Sequence, residues 1–173
     1  MISLESRAMR CLLPTAALLS LLLMGCPTAG GDPAIELGTG EIEFTPLSDG
    51  DELLIVFGPQ GGYHVEGAFR VAGVDPGDRN DLTEPRNPRM EFDLVTEGGT
   101  LVMIGEIQQG LDDAPSSAAP YTHELLGRRV ILDIVNDQIY NGDAATFSVE
   151  LTDADGVVLS DSVDVVLAPH PLN

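Results

Sequence analysis

Phe147-Ser148-Val149-Glu150-Leu151-Thr152-Asp153-Ala154-Asp155-Gly156-Val157 is the stretch that decides the fold class of this chain. Phe147, Val149 and Leu151 alternate with Ser148, Glu150 and Thr152. A period of two sends the two sets of side chains to opposite faces of a strand. Asp153-Ala154-Asp155-Gly156 follows at once. Asp-Gly is a preferred hairpin turn, because glycine accepts the left-handed backbone that the turn imposes. Val157 to Leu167 returns as the partner strand, with Asp161 interrupting its apolar face, a feature expected at a bulge.

The same period recurs upstream. Met90, Phe92 and Leu94 alternate with Arg89, Glu91 and Asp93, and Glu97-Gly98-Gly99 turns that strand into Thr100 to Ile107. Arg128 to Val135 directs Val130, Leu132 and Ile134 inward, whereas Tyr121 to Leu126 fits either a short strand or one helical turn. Tyr63 to Val74 places Tyr63, Val65, Phe69 and Val71 on one face and His64, Glu66 and Arg70 on the other. Gly67 and Gly73 on its apolar face signal a bulge or a close backbone approach. Glu52 to Phe57 is an apolar run of central-strand length, and Ile42 and Phe44 alternate with acids in a strand closed by Pro46. Asp75 to Pro88, Gln108 to Pro120 and Asn136 to Ala145 are polar loops, and no stretch sustains a helical period. About seven to nine short strands, with turn signals every 8–12 residues or so, predict an all-β antiparallel sandwich over residues 34–173.

Composition narrows the partners. The 173 residues carry 28 acidic and 8 basic side chains, and every basic one is arginine. Removing Glu5, Arg7 and Arg10 with the first 25 residues leaves 27 acids against 6 arginines, a net charge of −21. Such a surface repels nucleic acid and anionic lipid headgroups and favours cations or basic partners.

Upstream of the strands, Leu12 to Met24 is an apolar run behind Arg7 and Arg10, ending at Gly25-Cys26. A basic start, a short apolar core and a small residue at the end make a secretory signal. The run falls short of the roughly 20 apolar residues that span a bilayer. Leu23-Met24-Gly25-Cys26 resembles the lipobox of bacterial lipoproteins, with Met24 standing where that family favours a small or β-branched residue. The resemblance implies cleavage after residue 25, acylation of Cys26 and a tether over residues 26–33. It also implies sorting to the outer membrane, since Pro27 replaces the aspartate of the family's inner-membrane retention signal. Cys11 leaves with the signal and Cys26 is acylated, so the domain is expected to hold no disulfide. The hairpin Thr146 to Leu167 resembles the last two strands of immunoglobulin-like domains of bacterial surface proteins. The lipobox, the Gly/Pro tether and Gly58-Pro59-Gln60-Gly61-Gly62-Tyr63-His64 together are similar to uncharacterised lipoproteins of myxobacteria.

Three chemistries have candidate residues. Calcium wants six to eight oxygens, and Asp75, Asp78, Asp153 and Asp155 lie in loops that can converge at one end of a sandwich. The EF-hand template fails, because Leu151 falls at its first ligand position. His64 follows a glycine turn, and its simplest reading is a solvated strand histidine beside Gly61-Gly62 at positive φ. Nucleophilic catalysis lacks a Gly-x-Ser-x-Gly elbow and a usable thiol. A non-enzymatic, lipid-anchored envelope module with a structural or protein-interaction role is the resulting expectation. A calcium- or small-ligand-binding module is the alternative, and a secreted hydrolase ranks below it.

Overall fold

The alternation that marks the strands holds wherever two apolar layers meet. In the computed structural model, which describes residues 32–172, the strands are β1 (Ala34–Thr39), β2 (Thr45–Pro46), β3 (Glu52–Phe57), β4 (Tyr63–Ala72), β5 (Arg89–Thr96), β6 (Gly99–Thr100), β7 (Val102–Ile104), β8 (Glu106–Gln108), β9 (Asp112–Asp113), β10 (His123–Leu132), β11 (Ala144–Thr152) and β12 (Val158–Pro169). The expected signal segment, the lipobox-like stretch with Cys26, and the expected tether up to residue 31 lie outside the described residues. The domain is an all-β sandwich, and seven of its strands have six residues or more.

One layer centres on β4, which pairs antiparallel with β1, β3 and β10. The other centres on β11, antiparallel between β5 and β12. Strand β3 belongs to both. Its first four residues run beside β12 and its last two beside β4. That β3–β12 pair is parallel, which corrects the expectation of antiparallel pairing throughout. On the opposite side, β7 pairs with β10 and β8 with β5, so the chain itself links the layers there. This splits the expected strand from Thr100 to Ile107 at Gly105, whose carbonyl accepts the Phe92 amide instead.

The core lies between the layers. Phe69, Phe92 and Phe147 are fully buried, Phe92 and Phe147 stacking with centroids 5.8 Å apart. Gly67 has the close approach expected of it: a Cβ there would stand 2.8 Å from the Phe92 ring. The hairpin that decides the class forms as read, with Gly156 at φ +84° and register from Ala144↔Val166 to Thr152↔Val158.

Asp161 causes no bulge. It keeps register opposite Val149, and its carboxylate meets the edges of two strands. Oδ2 accepts the Leu37 amide of β1 at 2.8 Å and Oδ1 accepts the Ser162 amide of β12 at 2.9 Å. The unpaired strand edges between the layers are thus bridged by a side chain, where a backbone ladder would otherwise be needed.

The strand expected at Glu41 to Thr45 does not form. Gly40, at φ +119°, folds the chain back, leaving Ile42 exposed while Phe44 covers Arg70, whose guanidinium carbon sits 4.4 Å from the ring centroid. Tyr121 to Leu126 resolves as strand: from His123 it belongs to β10, with a register shift between Leu125 and Arg128.

Register also gives the domain two ends. Ala34 lies opposite Ala72 and His123 opposite Val71, so the chain enters where loops 73–88, 109–122 and 153–157 gather. Tyr63 lies opposite Leu132 and Phe57, so loops 58–62, 97–98 and 133–143 gather at the far end, about 30 Å away along ten residues of β4.

Candidate functional site

The acids singled out for calcium lie at the end where the chain enters, and three of the four converge. Asp153 is 6% exposed, and both its oxygens are engaged. Oδ1 accepts the amides of Asp155 and Val157, and Oδ2 accepts the amide of Asp75 from the 73–88 loop. A buried carboxylate with three charge-assisted bonds from amides is a fastening between loop and hairpin.

The positive charge at this convergence is Arg86. Its Nη2 donates to Asp75 Oδ2 at 2.5 Å and to Asp155 Oδ1 at 3.0 Å. The Gly77 amide first, and then Arg86, hold the Asp75 carboxyl below its ordinary range. Asp75 and Asp155 in turn raise the Arg86 guanidinium above its own. Asp78 points elsewhere, its Oδ1 accepting the Asn80 amide at 2.8 Å in a local turn. Among the described residues, no group of three or more His, Cys, Asp or Glu is placed to hold a metal ion. The acids were legible in the sequence, whereas Arg86, which draws them together, was not singled out. Its signal was its position as the basic residue of Glu84-Pro85-Arg86 in an acid-rich loop.

His64 is buried, 5% exposed, which corrects its reading as a solvated residue. It does lie on the face away from the core, but the loop Gly58-Pro59-Gln60-Gly61-Gly62 folds over it, with Gly61 and Gly62 at positive φ as expected. Its Nε2 is 3.1 Å from Glu66 Oε1, and Arg129 Nε stands 3.8 Å from the same oxygen. The hollow beside it is about 110 Å³, lined by that loop, Arg129 and Ile131. The carboxylate fixes the ring: when neutral, His64 carries its proton on Nε2 and leaves Nδ1 an acceptor.

His123 lies at the entry end, its Nδ1 3.0 Å from Thr122 Oγ1 and its Nε2 3.7 Å from the exposed Asp113. The two histidines stand at opposite ends of β10 and β4, so the fold does not combine them.

Arginine is used up within the domain. Arg70 pairs with Glu124 at 3.0 Å, Arg79 with Asp112, and Arg89 with Glu106 at 3.2 Å. Arg129 faces Glu41 and Glu66, each at 3.8 Å. Arg128 donates to the Glu106 carbonyl, and burial lowers its pKa. The remaining acids dominate the surface, most evidently on the outer side of β5 and β11, where Glu91 and Glu150 are direct cross-strand partners.

The chain matches no protein-family model, no curated protein and no solved structure.

Proposed function

We propose that this chain is a lipid-anchored envelope protein whose acidic β domain serves as a structural or protein-interaction module. The carrying observation is Cys26 itself, which ends an apolar signal-like run at Gly25 and precedes a Gly/Pro tether and one folded domain. Acylated Cys26 would hold the protein on the membrane, with Pro27 favouring the outer one. Each buried CH₂ of an acyl chain contributes about 0.8 kcal/mol, and more than one chain is required for stable anchoring. The net negative charge keeps the domain off anionic headgroups. The covalent lipid is its one cofactor in this reading, and catalysis is not its role. The immunoglobulin-like character of the hairpin belongs to the same proposal, supported by the two-layer all-β arrangement that β11 and β12 close.

The alternative, calcium binding at Asp75, Asp153 and Asp155, draws on their convergence. Arg86 among them favours the anchored-module reading, since the guanidinium already supplies the positive charge. Metabolic labelling with a palmitate analogue tests the anchor. The wild-type chain is expected to take up label and Cys26→Ser to remain an unlabelled, uncut precursor. Normal cleavage and labelling of Cys26→Ser would overturn the proposal.

A further inference from the structure

The two ends of the sandwich differ in surface chemistry. Eleven large apolar side chains stand exposed among the described residues. Leu82 and Val158 lie at the end where the chain enters, and Ile42 lies at mid-height. The other eight all lie in the far half, placed there by the registers of β3, β5, β7, β10 and β12. Val135, 93% exposed, and Ile139, 62% exposed, are carried by the 133–143 loop, and Phe57 stands beside Tyr63 at the same end.

Charge divides along the same axis. Of the six arginines of the domain, Arg70, Arg79, Arg86 and Arg89 belong to the entry half, while Arg128 and Arg129 sit at mid-height opposite Gly67 and Glu66. Arg129 reaches the 58–62 loop of the far end, where it faces Glu41 and Glu66. Glu52, Glu97, Asp133 and Asp143 lie at that end with no arginine paired to them among the described residues. Exposed apolar side chains gathered at one end beside charge mainly of one sign fit the surface of a protein contact. An acidic rim selects a basic partner and repels both an anionic bilayer and a second acidic copy.

We propose that the far end is the docking surface, and that its partner is a protein face carrying apolar residues flanked by lysine or arginine. This rests on the anchored-module reading and adds to it. With the tether entering at one end, the contact surface is directed away from the membrane.

The test is photo-crosslinking in cells that make the full-length protein, with a benzophenone amino acid at Val135 or Ile139, and at Leu82 or Val158 for comparison. The far-end probes are expected to give one discrete protein adduct, and the entry-end probes none. The crosslinked peptide is expected to be apolar and basic. With the probe at Ile139, Phe57→Asp should reduce the adduct at least tenfold, while Leu82→Asp leaves it unchanged. Adducts to lipid or to a second copy, equal adducts from both ends, or no far-end adduct would overturn the docking surface. Palmitate labelling in the same cells separates the two readings. Labelled protein without a far-end adduct refutes the docking surface alone, and unlabelled protein with one refutes the anchor alone.

Discussion

Asp161 sits where the apolar period of β12 breaks, and the break follows from what the residue meets. Leu37, whose amide it accepts, is 124 residues away in sequence, so no local pattern announces the contact. The sequence showed an interruption; only the packed layers show two strand edges sharing one carboxylate. Asp161→Ala leaves two amides to find water. It is expected to lower unfolding free energy by roughly 2 kcal/mol in urea titrations, from the 1.5–3 or so typical of bonds to charged groups. No change in midpoint would remove its bridging role. Gly67 is the opposite case, since an apolar-face glycine in a long alternating strand already signals close approach. Gly67→Ala drives a methyl toward the packed Phe92 ring and is expected to cost about 1–3 kcal/mol, read by the same titration. The burial of His64 is not legible in the sequence, because alternation gives the face of a residue and not what folds over that face.

The 73–88 loop and the β11–β12 hairpin behave as one fastening. Its acids could be read from the sequence because loops joining alternate strands collect at the ends of a sandwich. Their arrangement about Arg86 could not, since loop conformation is set by turns such as the Gly77 amide on Asp75 Oδ1. The fastening has a definite pH dependence. Asp75 has a lowered folded pKa, so its contribution is fully present above the unfolded carboxylate value near 4 and is lost as pH falls through the lower folded value. The melting-temperature difference between wild type and Asp75→Asn is therefore expected to stay constant above about pH 5 and shrink below about pH 4. A difference that grew on acidification would contradict the assignment. Calcium separates the readings of the same acids: millimolar calcium is expected to leave the wild-type melting temperature unchanged. A rise of several degrees would favour the cation site over the arginine clasp.

At the scale of the molecule, composition spoke most clearly. The acidic excess, the absence of lysine and the two cysteines bound the behaviour of the domain before any strand is placed. A net charge of −21 with all arginines engaged leaves repulsion as a standing load on the folded state. Screening shortens to about 10 Å at 0.1 M salt, so melting temperature is expected to rise as sodium chloride increases from about 10 mM. A fall would show that the surface ion pairs matter more than the excess charge. The two-ended surface was not legible in sequence, because exposed Val135 and Phe57 read there as ordinary strand or loop residues. The proposed anchor rests on a local pattern, the lipobox-like Leu23-Met24-Gly25-Cys26, which sequence can carry without a structure. The most direct measurement is intact mass of the amino-terminal peptide of the mature protein. The expected result is a chain beginning at Cys26 with acyl chains on its thiol and amine. An unmodified amino terminus near Ala29 would contradict it.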